Sequence, residues 1–254
     1  MDISVIIINY RSEKFLAPCI SSVQTFFKNI SYEIIIINND STSLKDIAEI
    51  PYVKVMNLPL NEGFATACNI GAEIAKSKIL FFLNPDTQIA NMIEDELISA
   101  LNFPGVGIVA PTLILPNKEI QPWSAGQSLN LWALLKNNFA ENKHFNNKEA
   151  AFDWVSGAAF FISKKLFTTI NGFDEKFFMY FEDIDLCKRI RNKKFLIHRL
   201  SSFSVIHFGG QSYDNKALQK EHYYASQDYY FKKHFGILIS YLVKVIRTIS
   251  YLLR

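Results

Sequence analysis

Four short apolar runs, Ser4–Asn9, Glu33–Asn38, Val53–Leu58 and Ile79–Asn84, punctuate the first third of the chain, each rich in Ile, Val, Leu or Phe. Runs of this length and composition read as buried strands. Helical patterns separate them. In the first, Phe15, Leu16, Cys19, Ile20, Val23 and Phe27 form one apolar face at helical spacing. A buried strand followed by a helix and another buried strand has to cross over, and the helix covers a face of the sheet as it does so. The expected fold is therefore α/β, with a doubly wound, mostly parallel sheet.

Beyond Asn84 the pattern continues and then changes. A helix is expected over Asn91–Asn102 and a strand over Val106–Thr112. Gln127–Ala150 is polar and Asn-rich around Leu129–Leu135, and reads as a short helix and a long excursion. There follow a strand at Phe152–Ile162, a helix at Lys164–Ile170, a turn at Asn171-Gly172, a helix at Glu182–Arg191, and strands near Phe195–Leu200 and Ser204–His207. No repeat or low-complexity linker interrupts them, and 254 residues suit one domain, 1–235, with a separate tail, 236–254. With 49% hydrophobic residues a large core is available and global disorder is excluded, while a net charge of +3 is too small to indicate a nucleic-acid partner. Cys19, Cys68 and Cys187 are odd in number, widely spaced and each in a helical pattern, so reduced core thiols in a cytoplasmic protein are expected. The N-terminus enters a strand almost at once, so no signal peptide is expected.

In open α/β sheets, ligands bind beyond the carboxyl ends of the strands. Three strands here end in polar residues: Asn9-Tyr10, Asn38-Asn39-Asp40-Ser41 and Asn84-Pro85-Asp86. Such residues also make turns and helix caps, and for Asn38–Ser41 that plainer role stands level with a functional one. Asn84-Pro85-Asp86 is more specific, because Pro85 holds Asn84 extended and ends the ladder, leaving Asp86 at the strand tip. A carboxylate there suits Mg²⁺ or Mn²⁺ bridging a diphosphate, whose oxygens supply other ligands. Glu182-Asp183-Ile184-Asp185 opens a helix behind the aromatic run Phe177–Phe181. First-turn carboxylates favour the helix dipole, but three in four residues exceed what capping needs. Helical spacing brings Glu182 near Asp185 for structural or acceptor-binding work and leaves Asp183 to face the cleft as a base. His207 ends a strand just before Gly209-Gly210, where a neutral imidazole can join the same metal. His144, His198, His222 and His234 lack such a setting.

In this order and spacing the motifs resemble the inverting family 2 glycosyltransferases of the GT-A fold, and most closely their rhamnosyltransferase-like members. The resemblance runs from Ser4 to about Gly236. It takes in Val5–Tyr10, Asn38–Ser41, Asn61-Glu62-Gly63-Phe64-Ala65 with Asn69-Ile70-Gly71, and Asn84-Pro85-Asp86. It continues through Trp154-Val155-Ser156-Gly157-Ala158, Gly172-Phe173-Asp174-Glu175 and Phe178–Cys187. It implies a Rossmann-like GT-A domain using a nucleoside diphosphate sugar (dTDP-rhamnose-like or UDP-hexose), Mg²⁺ or Mn²⁺, and a saccharide or polyprenyl-linked acceptor in surface polysaccharide synthesis. By the same resemblance Asn9 and Tyr10 line the nucleobase pocket, with Asn38, Asp40 and Asn69 also on the donor. Asp86 holds the metal and diphosphate with Asn84 as helper, and His207 completes the metal site. Asp183 is the general base, and Trp154, Glu182 and Asp185 stand on the acceptor side. Asn38 and Asn84 occupy positions where many members carry Asp, which leaves open a catalytically inactive sugar-nucleotide or partner-binding module of the same fold. A nucleotidyltransferase is a further alternative, but it calls for a Gly-rich, basic loop where Asn9-Tyr10-Arg11-Ser12 has no glycine. The absence of Gly-x-Gly-x-x-Gly after that strand speaks against a dinucleotide oxidoreductase.

Wound as a helix, Gly236–Arg254 places Ser240, Lys244, Arg247, Thr248, Tyr251 and Arg254 on one polar stripe and apolar residues elsewhere. Too short and charged to span a bilayer, it suits a C-terminal amphipathic helix whose Lys and Arg reach anionic headgroups. The protein is then peripheral on the inner face of the cytoplasmic membrane. A helix docked on the domain or on a dimer partner is the alternative.

Overall fold

The computed structural model describes residues 2–131, 152–209 and 216–252. Most of the excursion expected up to Ala150, with His144, lies outside the described residues, as do Gly210 and Arg254. Strand β1 (Ile3–Asn9), helix α1 (Glu13–Phe26), β2 (Tyr32–Asn38), a short α2 (Lys45–Ala48), β3 (Val53–Asn57), α3 (Phe64–Ile74) and β4 (Ile79–Leu83) alternate as expected. β1 lies parallel between β2 and β4, and β2 pairs in parallel with β3.

The second half mixes directions. It contains β5 (Thr87–Asn91), α4 (Glu94–Asn102), β6 (Val106–Ile114), the small pair β7 (Ala125–Gly126) and β8 (Trp154–Val155), and β9 (Ala159–Ser163). Next come α5 (Lys164–Thr169), α6 (Glu182–Asn192), β10 (Leu196–His207), α7 (Lys216–Phe235) and α8 (Ile237–Leu252). The main sheet has eight strands in the order β3-β2-β1-β4-β9-β6-β10-β5. β9 runs antiparallel between β4 and β6, while β10 is parallel to β6 and antiparallel to the edge strand β5.

Four details differ from the sequence expectation. The strand expected over Phe152–Ile162 is broken at Ser156-Gly157-Ala158 into β8 and β9. The two strands expected after Phe195 are one, β10, with its register slipping between Leu200 and Ser204. The start of the expected helix Asn91–Asn102 is shortened, because Thr87–Asn91 pairs with β10 as β5. Helix α7 was not anticipated.

Side chains alternate across the sheet, and helices cover both faces. Ile6, Ile8, Ile35, Ile37, Phe82 and Phe160 pack towards α3, α5 and α6. Val5, Ile7, Ile34, Ile36, Phe81 and Phe161 pack towards α1 and α4. This double coverage is why the central residues of β1, β2 and β4 are apolar, whereas the edge strand β3 admits Lys54. The three cysteines are buried free thiols within α1, α3 and α6, and burial pushes the Cys19 thiol up to about 12.

The two halves are stitched by aromatic pairs on β4 and β9. Phe81 stacks on its register partner Phe161 with ring centroids 3.9 Å apart, and Phe82 meets Phe160, Phe167 and Phe173 at 5.1–5.4 Å. Phe82→Ala should therefore cost about 3–5 kcal/mol by chemical denaturation, since it removes transfer energy and leaves a cavity in rigid surroundings. A loss below about 1 kcal/mol would show that this junction collapses freely.

Candidate active site

A cleft of about 270 Å³ opens at the carboxyl ends of β1 and β4. Its donor-side wall is built from amides. Asn9 Nδ2 donates to Asn38 Oδ1 at 2.8 Å, and Asn38 Nδ2 donates to Asn57 Oδ1 at 2.9 Å and Thr42 O at 2.7 Å. Both residues are buried, and the Asn38 carbonyl oxygen expected to meet the nucleobase is already engaged by Asn9. Its neighbour Asn39 lines the cleft instead. Asn39 accepts the Glu62 N–H and donates to Asn61 Oδ1, so it fixes the loop that leads into α3. The Asp40 carboxylate accepts the N–H groups of Arg11 and Thr42 at 2.6 and 2.7 Å. It ties the β1 and β2 exits together rather than facing the cleft. Tyr10 lies in the lining as expected.

Asn84, Pro85 and Asp86 form the turn from β4 into β5, and all three line the cleft. The turn is held by Asn84 N–H to Ala158 O at 2.8 Å and by Thr87 Oγ1 to Asn84 O at 2.6 Å. His207, at the end of β10, is the register partner of Thr87, which sets its ring beside Asp86. Gln121 Oε1 lies 2.9 Å from His207 Nδ1, so that nitrogen donates and Nε2 is left facing Asp86 Oδ1 at 3.4 Å. With Nε2 unprotonated, the two side chains present a pair of acceptors to a cation. An octahedral Mg²⁺ or Mn²⁺ holds neighbouring ligands about 3 Å apart. The pair fits such an ion, and the Gln121 contact is the outer-shell support that orients a metal-binding imidazole. Among the described residues no group of three or more His, Cys, Asp or Glu could hold a metal ion by itself, so an ion at this pair would take further ligands from a bound diphosphate or water.

The three carboxylates opening α6 have three different surroundings. Asp183 Oδ2 accepts the Gly157 N–H and Oδ1 accepts its neighbour Ile184 N–H, each at 2.8 Å. It lines the cleft yet lies deep in it, and burial raises its carboxyl above the ordinary aspartate value while those N–H groups pull the other way. The break between β8 and β9 now has a cause: Gly157 leaves the strand to offer its N–H to Asp183. Glu182 also lines the cleft, but Oε2 is buried without a hydrogen bond. Burial, then the Asp183 charge, pushes the Glu182 carboxyl well above the usual range. Asp185 is fully buried under α7, bound by Arg189, Lys233 and His234, and its carboxyl is held down at about 2. It therefore does not stand on an acceptor side. Helical rotation turned Asp185 into the core and left Glu182 in the cleft with Asp183.

Tyr10, Asn84, Asp86, Glu182, Asp183 and His207 thus share one cleft. Two more expected contacts fall elsewhere. Asn69 pins the Phe173 backbone through both its amide atoms and donates to Glu175, and Trp154 Nε1 donates to Gln127 O beside Gly126. Sequence reasoning missed Asn39, Asn61, Gly63 and Gln219, all lining residues. Gly63 carried a signal in the quoted Asn61-Glu62-Gly63. Its φ is +85° and an added Cβ would meet Phe178 O at 2.7 Å, so only glycine fits this turn. Gln219 comes from α7 and donates to Tyr180 Oη at 2.8 Å.

The description "Glycosyl transferase family 2" belongs to a family model that matches residues 4–167, and "N-terminal domain of galactosyltransferase" to one that matches 139–209. The chain is 25% identical over 214 residues to the low-salt glycan biosynthesis hexosyltransferase Agl10 of Haloferax volcanii, covering 81% of this chain and 67% of that protein. It is 25% identical over 200 residues to the N-acetylglucosaminyl-diphospho-decaprenol L-rhamnosyltransferase of Mycobacterium tuberculosis, covering 69% of this chain and 65% of that one. Among solved structures, GalNAc-T7 with UDP, GalNAc and Mn²⁺ superposes with a TM-score of 0.62 at 17% identity, over 82% of this chain and 44% of its own. The chain thus spans about two thirds of the curated relatives and under half of that solved chain. The sheet and its covering helices are the GT-A arrangement. With residues 4–167 matched, well over half of the sequence, this protein belongs to glycosyl transferase family 2.

Proposed function

We propose that this chain catalyses inverting, metal-assisted transfer of a hexosyl group, rhamnose or a related sugar. The donor is a nucleoside diphosphate sugar, and the acceptor is a saccharide or a lipid-linked saccharide in polysaccharide synthesis. The observation that carries this reading is the shared cleft, with the Asp86–His207 pair and Asp183 among its lining residues. The likeness to a hexosyltransferase and to a lipid-linked rhamnosyltransferase supports the choice of substrates.

In this reading Tyr10 and Asn39 receive the nucleoside, with Asn9 and Asn38 as the buried frame beneath them. Asp86 and His207, with Asn84 alongside, hold Mg²⁺ or Mn²⁺. That cation neutralises charge developing on the departing diphosphate. Asp183 takes the proton of the acceptor hydroxyl as its oxygen bonds to the anomeric carbon and the bond to diphosphate breaks. With the leaving group on one face and the base on the other, one displacement inverts the configuration. Each Asp183 oxygen gives one lone pair to a backbone N–H and keeps another for the proton. Asn69, Trp154 and Asp185 have structural roles. An inactive binding module would bind the same donor without turnover.

Asp86→Ala should remove the Mn²⁺-dependent part of sugar-nucleotide binding in calorimetry with an unchanged melting temperature. Equal donor affinity with and without Mn²⁺ in both proteins would refute the assignment. Asp183→Asn should keep donor affinity and lower single-turnover transfer roughly 10²–10⁴-fold. The base works ionised and its carboxyl lies above the ordinary 3.8, so kcat should fall, as pH drops, at a pH above that value. Wild-type-like turnover in Asp183→Asn would move the role to another residue.

We also infer that residues 236–254 contact an anionic membrane, with the apolar side chains of the amphipathic helix as the contacting face. The polar stripe turns inward: Ser240 donates to Asp228 O, Arg247 pairs with Asp228 over the Tyr224 ring, and Lys244 lies 3.4 Å from Asp228. Leu238, Tyr241, Leu242, Val245 and Ile249 are left exposed on a helix with no Asp or Glu. With Lys244 and Arg247 held at Asp228, contact with the lipid surface falls to these apolar side chains. No helix among the described residues is long and apolar enough to cross a membrane. Leu238→Glu with Leu242→Glu should abolish co-sedimentation with phosphatidylglycerol vesicles. Unchanged co-sedimentation, or a wild-type dimer that the changes dissociate, would overturn this.

A further inference from the structure

Helix α7 lies along the segment that presents Asp183. Phe177 packs on Tyr229 with ring centroids 4.8 Å apart, Ser226 Oγ donates to Met179 O, and the Phe181 ring meets Tyr223 and Tyr230. The segment needs such support. Tyr180 and Phe181 have φ of +71° and +67°, a left-handed conformation that costs a bulky side chain about 1–3 kcal/mol and persists only when the surroundings enforce it. At the end of α7, Lys233 Nζ and His234 Nε2 reach Asp185 Oδ1 at 2.6 and 2.7 Å, and Lys233 also meets Asp174 at 2.7 Å. From its own helix, Arg189 binds Asp185 Oδ2 and donates to the carbonyls of Ile170 and Gly172.

We infer that Lys233 and His234 are positioning residues for transfer: by gripping Asp185 they hold the first turn of α6 so that Asp183 faces the cleft at a fixed depth. The inference rests on Asp183 as the base. Its physical content is that Asp183 and Asp185 share one helical turn, so the turn cannot rotate while Asp185 is held. Three donors on one buried carboxylate exceed what anchoring an exposed tail needs. The other charged or titratable groups near Asp185 are Glu182 and Lys188 of α6, Tyr229 and Tyr230 of α7, and Asp174 of the preceding turn; Glu182 and the Cys187 thiol are the titratable groups that feel the Asp183 charge.

The sign of one measurement separates positioning from simple charge. Removing a nearby cation without movement raises an aspartate's titration midpoint, whereas letting water reach Asp183 while its Gly157 and Ile184 N–H bonds are kept lowers it. The experiment titrates Asp183 in the full chain by ¹³C NMR of labelled aspartate carboxyls, with Asp183→Asn giving the assignment. Lys233→Met and His234→Ala should each lower the midpoint by about half a pH unit or more. With dTDP-rhamnose as donor they should lower kcat about tenfold with donor KM unchanged. His234→Gln, which keeps a donor near Nε2, should restore both, and Lys232→Met, exposed on the same helix, should change neither. If His234→Ala does not fold, Lys233→Arg and His234→Gln are compared with wild type. A midpoint that stays or rises in folded variants overturns the inference. Retained turnover in Asp183→Asn instead overturns the base assignment, and the NMR result is still read independently.

Discussion

The antiparallel pairing of β9 with β4 is the constraint on which the site depends. In a parallel sheet, all strands leave by the same edge, and a site at that edge is built from strand exits alone. Here β9 enters where β4 leaves. Leu83 faces Ala159 in register, and Asn84 continues the ladder to Ala158. The turn carrying Asp86 and the segment carrying Gly157 are therefore neighbours by hydrogen bonding. Because Gly157 holds Asp183, the spacing between Asp86 and Asp183 follows from the register of one strand pair. A slip of one residue would turn the aromatic side chains of β9 to the opposite layer. The Phe81–Phe161 and Phe82–Phe160 pairs, one on each face, fix that register.

A second tie closes the cleft from its other side. Phe64 N–H donates to Phe178 O at 2.9 Å beside Gly63, so the start of α3 is joined to the aromatic turn before α6. Asn39, through Asn61 and Glu62, links the same loop to the end of β2. The nucleotide side and the base side are thus connected through backbone groups, which leaves few side chains free to vary the distance between them.

Much of this was legible in the sequence, and the omissions have physical reasons. Continuous apolar runs announce double burial, so β1, β2 and β4 were plain. Asn84-Pro85-Asp86 was legible because proline restricts its neighbour wherever it stands. Direction of pairing was not legible: β9 is as apolar as β4, and nothing in Ala159–Ser163 says that it runs the other way. Periodicity groups Glu182 with Asp185, whereas the structure leaves Glu182 in the cleft with Asp183 and puts Asp185 under α7, because the face that meets the cleft depends on α7. The α7 segment mixes Lys, Gln, Glu, His and Tyr, and its inward face is aromatic and polar rather than aliphatic. The polar stripe of the tail is legible, but its contact with Asp228 is not, because Asp228 belongs to that unrecognised helix.

The Glu182–Asp185 cluster shows how one turn of helix can give three carboxylates three chemistries. All three sit at the same helix start, so the dipole favours the charged form of each equally. What separates them is the partner each finds. Asp185 has three cationic or proton-donating groups and stays ionised down to about 2. Its contribution to stability is present above the unfolded value and is lost only as pH falls through the folded one. Glu182 has no partner for Oε2 and two anions nearby, so it favours the protonated form; its contribution is present below its unfolded value of 4.5 and is lost as pH rises through the raised one. Asp183 lies between them, raised by burial and lowered by two backbone N–H groups. For the proposed base that setting is apt: held down as firmly as Asp185 it would take up a proton weakly, and a carboxyl raised further would be less ionised when an acceptor arrives. Pushing Glu182 towards its neutral form also lessens the negative charge beside Asp183, so the residue that looks redundant in the sequence favours the ionised form of its neighbour.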